Sequence, residues 1–204
     1  MFVFLSKITI MKYSIYAEST PNPKVMKFVA NRMLADKSIE INSLKDAKGI
    51  SIAEELLKFH FVESIYLSNN FISITKINEI EWENIAMQLR VFISDHLNNN
   101  EVQNYTENIN TSMNNESKFE ELQVKTFTEK EKEIENILNE YIKPAVEADG
   151  GAITLNYYKK NVVCVDLKGA CSGCPSATST LKQGIEALLK QKISPDIEVI
   201  ANEK

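Results

Sequence analysis

The stretch Val162-Val163-Cys164-Val165-Asp166-Leu167-Lys168-Gly169-Ala170-Cys171-Ser172-Gly173-Cys174-Pro175 decides how this chain is read. It starts as a strand, breaks on a glycine-bearing loop and ends on a proline that suits the first turn of a helix. Cys171 and Cys174 are separated by two residues at the mouth of that helix. Thiolates at that spacing can bind one metal together or close a disulfide. A metal or iron–sulfur centre takes four ligands, and one chain offers two here. The shortfall points to a cluster shared between chains, which can therefore be given away.

With Cys174 at the N-cap of the following helix, its thiolate faces unsatisfied backbone N–H groups and the positive end of the helix dipole. Both lower a thiol's pKa and favour metal binding. Gly169 and Gly173 let the backbone approach a bulky centre. Other readings stay open on these residues alone. The pair can be ordinary thiols in a tight turn, zinc ligands shared by two chains, or a thioredoxin-like dithiol. The dithiol usually carries a proline between its cysteines, where this chain has Ser172-Gly173, and about 80 residues is small for its βαβ framework.

Working outward, Asp149-Gly150-Gly151 ends a helix, and Ala152–Tyr158 with Asn161–Lys168 reads as an antiparallel hairpin turning at Lys159-Lys160. Upstream, Thr128 and Glu131 form a capping box ahead of the stripe Ile134, Ile137, Leu138, Tyr141 and Ile142, and Pro144 bends or restarts that helix. Downstream, Leu181, Ile185, Leu188 and Leu189 form the core stripe of the last helix. Ser194-Pro195 stops it, and Ile197–Ile200 adds an edge strand.

The N-terminal half has its own pattern. Tyr13, Ile15 and Ala17 alternate as a half-buried strand, stopped by Thr20-Pro21-Asn22-Pro23. Strands follow at Val25–Val29 and Ser38–Ile41, then a helix at Ile50–Phe61 with a Ser51/Glu54 capping box. Val62–Leu67 and Phe71–Thr75 form a hairpin across Asn69-Asn70. A second helix, Trp82–Leu97, turns Trp82, Ile85, Ala86, Leu89 and Ile93 inward. Residues 98–124 are asparagine-rich, aperiodic and poor in apolar side chains, which predicts a flexible linker that few contacts cross. Met11 begins a pattern that needs nothing upstream, so residues 1–10 read as an extension.

The formal net charge is −5. The acidity sits in the linker, where Lys118 opposes Glu101, Glu107, Glu116, Glu120 and Glu121. No block of like charge marks a nucleic-acid surface. No run approaches a membrane span, and residues 1–10 lack the marks of a signal peptide. Three cysteines, two of them clustered, fit a reducing compartment, and the expected location is cytoplasmic. Cys164, mid-strand, reads as an inert packed thiol. His60 and His96 read as helix-end or surface residues, and Trp82 as core. Thr20-Pro21-Asn22-Pro23 is an exposed rigid turn or a client-docking feature. Asp149 either terminates a helix or orients loop amides near a cluster. No catalytic carboxylate pair, nucleophile triad or phosphate loop is visible, so the chain is not expected to be an enzyme.

Glu147-Ala148-Asp149-Gly150-Gly151, the hairpin and Lys168–Ser176 together resemble the NifU-like C-terminal domain of Nfu iron–sulfur proteins. Ser19–Pro23, Lys27-Phe28-Val29 and Phe71–Lys76 are similar to the Nfu N-terminal domain. The resemblance implies an α+β chain of two small α/β-sandwich-like domains, an N-terminal one over 11–97 and a NifU-like one over 126–204, joined by the linker 98–125. It implies a non-enzymatic scaffold or carrier. Cys171 and Cys174 from each of two protomers would hold one [4Fe–4S] cluster, delivered to apo client proteins by ligand exchange. The partners implied are a second copy of the chain and apo iron–sulfur proteins, with neither nucleic acid nor membrane. A CxxC thiol–disulfide oxidoreductase is the alternative.

Overall fold

Two prolines flanking Asn22 forbid a continuous ladder, so the chain turns back on itself there and builds a meander. The computed structural model describes residues 12–99, 127–172 and 175–202. The extension 1–10, nearly all of the linker 98–125, and Cys174 therefore lie outside the described residues. Strands β1 (Ile15–Ser19), β2 (Val25–Ala30), β3 (Ala35–Ile41), β4 (Val62–Asn69) and β5 (Phe71–Lys76) form an antiparallel sheet in the order β1-β2-β5-β4-β3. Helices α1 (Ser51–Leu56) and α2 (Trp82–Asn99) cover one face. There Phe28, Ile65, Leu67, Ile72 and Ile74 pack with Ile52, Leu56, Ile85, Leu89 and Ile93, all buried. Of the expected stripe of α2, Ile85, Leu89 and Ile93 are buried, Trp82 packs half-buried against the core, Ala86 stays at its margin, and Leu97 extends the stripe.

The second unit repeats this two-layer plan on a smaller scale. Helix α3 (Glu129–Ile137) runs through a π-helical turn (Leu138–Ile142) into α4 (Lys143–Ala148). Strands β6 (Gly151–Lys159) and β7 (Val162–Gly169) pair antiparallel, and β8 (Glu198–Ala201), which follows α5 (Pro175–Lys192), adds parallel to β7 at the edge. Ile153, Leu155, Val163, Val165 and Val199 face Ile134, Leu138, Val146, Ile185 and Leu189. The fold is therefore α+β with two sheets and two cores, as the sequence predicts.

Local chemistry explains the junctions. The Thr128/Glu131 capping box closes in both directions. Pro144 has no N–H to donate one turn back. The Lys143 N–H reaches Leu138 O instead, and the helix widens into a π turn rather than breaking. The β4–β5 hairpin turns at Asn69 with φ 46°, which asparagine tolerates.

Three expectations need correction. Ser51 does not cap α1: its hydroxyl pairs with His96 Nε2 at 3.0 Å, while Glu54 accepts from the Gly49 N–H. Helix α1 ends at Leu56, because Leu57, Phe59 and Phe61 must all reach the core, a spacing of two that no single helix face provides. The β6–β7 turn centres on Lys160-Asn161, one residue later than expected, both at positive φ as a tight hairpin requires.

Leu189, fully buried on α5, fills the middle of the second core. Leu189→Ala is expected to destabilise that core by about 2–5 kcal/mol. Urea unfolding followed by circular dichroism checks this, and a loss under 1 kcal/mol contradicts the packing described.

Candidate iron–sulfur site at the cysteine loop

The cysteine loop leaves β7 at Gly169, whose φ of +60° turns the chain sharply toward α5. Four hydrogen bonds then knot it: Ala170 N–H to Gly150 O (3.2 Å), Cys171 N–H to Lys168 O (3.4 Å), Ser172 N–H to Gly169 O (3.1 Å) and the Ser172 hydroxyl to Gly169 O (3.0 Å). From the first turns of α5, the Thr178 hydroxyl donates to Cys171 O (3.2 Å). Pro175 opens α5, as its fixed φ suits.

Cys171 is a free thiol, 9% exposed, at the edge of the second core. A cavity of about 390 Å³ opens beside it between Pro21, Val146, Asp149, Ala170 and Leu181. Gly151 is the residue that makes room for the sulfur. A Cβ there would lie 2.6 Å from Cys171 Sγ and 2.9 Å from Lys168 O. The second glycine of Asp149-Gly150-Gly151 is thus a sulfur cradle, a role beyond the helix exit read from sequence. Asp149 caps α4 with its N–H on Ala145 O, and its negative charge also acts on the thiol. Burial first, and the Asp149 charge second, push Cys171 from an ordinary 9.0 up to about 11. In this state it is a protonated thiol.

Cys174 lies outside the described residues, so its pairing with Cys171 is not placed by the structure. Cys164 is buried on the face of β7 opposite the core valines, paired in register with Tyr157 of β6. It is the packed thiol expected. Among the described residues no three His, Cys, Asp or Glu side chains gather as a metal site. His96 packs in the helical layer against Phe92, and burial lowers its pKa. His60 stacks edge-on to Phe61. Trp82 is half-buried against the first core and donates to Pro23 O at 3.0 Å, bracing the proline turn.

The proline turn is not simply exposed, and the polar linker does not keep the two units apart. Asn22 is 2% exposed, and its carboxamide donates to Ala170 O (3.2 Å) and Ser172 O (3.1 Å) across the sequence gap. The sheet face turned away from α1 and α2 follows it. The Ser73 hydroxyl donates to Gly150 O (2.7 Å), and Lys27 Nζ donates to Ala148 O (2.8 Å) at the carbonyl end of α4. Tyr66 closes on Gly169, where a Cβ would come within 2.9 Å of its ring. Sequence reading singled out the turn that holds Asn22 but missed the role of Lys27, Ser73 and Tyr66, which alternate with core positions and look like solvent-facing ones. The one available signal was Lys27 and Ser73 occurring on strands that need no polar residue.

Two domain profiles match the sequence, one in each unit. The profile of the N-terminal part of the Nfu/NifU scaffold protein matches residues 15–100, and the NifU-like domain matches residues 134–200. The chain belongs to the Nfu-type iron–sulfur cluster scaffold family. It is 26% identical over 186 residues to the human protein named NFU1 iron-sulfur cluster scaffold homolog, mitochondrial, covering 90% of this chain and 69% of that protein. It is 25% identical over 187 residues to Arabidopsis thaliana NifU-like protein 4, mitochondrial, covering 88% and 62%. The solution structure of a NifU-like protein from Saccharomyces cerevisiae matches with a TM-score of 0.39 at 24% identity, over 47% of this chain and 88% of that one.

The protonated state of Cys171 has a kinetic consequence. Its thiolate fraction at pH 8 is about 100-fold below that of an ordinary thiol, so iodoacetamide should modify it about 100-fold more slowly than in the unfolded chain. The rate should rise about tenfold per pH unit until near pH 11. Site-resolved mass spectrometry across pH checks this, and a midpoint near 9 contradicts it.

Proposed function

We propose that this protein assembles one [4Fe–4S] cluster between two protomers and passes it to apo client proteins. Cys171 and Cys174 of each chain are its ligands. The observation that carries the reading is the family-matched loop that aims Cys171 at a cavity while a single chain offers no third ligand there among the described residues. Four thiolates complete the set only when a second copy contributes its own pair. The cluster is cargo. An incoming client thiolate replaces one ligand at a time, and no covalent turnover by the protein itself is involved.

The chemistry of the loop supports a carrier over a dithiol oxidoreductase. A redox nucleophile needs a depressed thiol pKa, whereas burial and Asp149 drive Cys171 upward. Iron supplies the missing driving force by binding the thiolate and displacing the proton. Among the described residues no helix is long and apolar enough to cross a membrane. The cysteine usage supports a reducing compartment, which we place in the cytoplasm, although the relatives above are mitochondrial by name.

Anaerobic reconstitution with iron and sulfide tests this. It should yield about two irons per chain and a dimer by light scattering. Cys171→Ser and Cys174→Ser should abolish loading, and Cys164→Ser should leave it near wild type. Four irons on a stable monomer, or loss of loading in folded Cys164→Ser, overturns the assignment.

A further inference from the structure

The outer face of the first sheet carries polar and aromatic side chains that are as buried as a core. Lys27, Tyr66, Ser68, Phe71 and Ser73 are all at or below 9% exposure, yet α1 and α2 lie on the opposite face. What covers this face is the second unit. Lys27, Ser73 and Tyr66 stand in one row across β2, β5 and β4, because Lys27 pairs with Ser73 and Ser73 with Tyr66. The row meets the Gly150 turn and Gly169, and Asn22 in the turn between β1 and β2 reaches the loop carbonyls of Ala170 and Ser172. The bonded partners are backbone carbonyls, and the close approach of the two surfaces falls at Gly150 and Gly169, where Cβ atoms are missing. At Gly150 an added Cβ would lie 2.7 Å from Ser73 Oγ. Lys27 is held by Ala148 O, by Glu18 at 3.7 Å and by the Phe71 ring at 4.8 Å, so its buried charge is satisfied.

We propose that this sheet face is a docking surface for the chain's own cysteine loop, latched by Asn22, and that it masks Cys171 from a second copy until it releases. The inference rests on the shared-cluster reading above. Pro21 forms one wall of the cavity beside Cys171, and the loop carbonyls are tied to Asn22. A partner chain that must bring its own thiolates to the same cluster needs that wall moved. The sheet therefore sets how often the loop is available, and the same face becomes free when the loop engages a second chain.

Asn22→Asp is the sharpest probe. It keeps the side-chain oxygen that accepts from the Lys24 N–H, and replaces the two donated hydrogen bonds with a carboxylate facing two carbonyl oxygens. Ser73→Ala removes the Gly150 bond while sparing Asn22. Asn42→Asp, on an exposed loop, controls for charge. In the full-length apo chain at fixed pH, Cys171 alkylation should rise about 10- to 100-fold in Asn22→Asp and several-fold in Ser73→Ala, with Asn42→Asp unchanged. Circular dichroism should match wild type in all three. The initial rate of cluster formation should rise in the same order. Alkylation of Cys171 at the wild-type rate in both folded variants overturns the latch, whether or not a cluster loads. Faster alkylation in a protein that takes up no cluster upholds the dock and refutes the cluster reading instead.

Discussion

Two hydrogen bonds from the Asn22 carboxamide to Ala170 O and Ser172 O join the two halves of the molecule at the point where its chemistry lies. Buried polar atoms must find partners, and the carbonyls of Ala170 and Ser172 find theirs on the turn between β1 and β2. The requirement propagates outward. Asn22 is held by a turn that Thr20 and Trp82 brace, with the Thr20 hydroxyl 2.9 Å from the carbonyls of Asn22 and Val25 and the Trp82 indole donating to Pro23 O. The prolines on either side fix the backbone that presents the side chain. A motif that looks like a chain reversal is therefore a rigid mount for one carboxamide.

The glycines on the other side of the seam serve the same contact. Gly150 takes φ +81° and lies under Ser73, Gly169 lies under Tyr66, and Gly151 leaves its space to the Cys171 sulfur. One short turn thus meets the first sheet on one side and the thiol on the other. A side chain introduced at Gly150 or Gly169 would press on the first sheet, and one at Gly151 would press on the Cys171 sulfur. The seam is polar and its bonds are individually modest, which suits a contact that must open. An apolar interface of the same extent would bind the loop too firmly to release it.

Much of this was legible in the sequence. The buried start of the first strand at Tyr13 and Ile15, the Thr128/Glu131 cap, the restart at Pro144 and the strand–loop–helix setting of Cys171 follow from local rules that the structure obeys, whereas the alternation fails at Ala17, which is exposed on the edge strand β1. The misses share a cause. Ser51 lost its capping role to His96, 45 residues away, and α1 was shortened by core demands on Phe59 and Phe61. Lys27, Ser73 and Tyr66 sit at positions that alternation assigns to solvent, and only the tertiary arrangement buries them. The linker's polarity says how little it contributes to a core. It says nothing of whether the sheets it joins meet, because contact between them depends on residues 77 to 150 positions apart in sequence. For the same reason the low pKa expected at the helix mouth does not extend to Cys171, where burial dominates.

The central claim is that the apo loop is docked on the first sheet, and solution NMR of the ¹⁵N-labelled apo protein reads it most directly. The account predicts slowly exchanging Asn22 side-chain amide protons with NOEs to the Hα protons of Ala170 and Ser172. A rapidly exchanging Asn22 amide at solvent-like shifts, with no NOE to the cysteine loop, would contradict it.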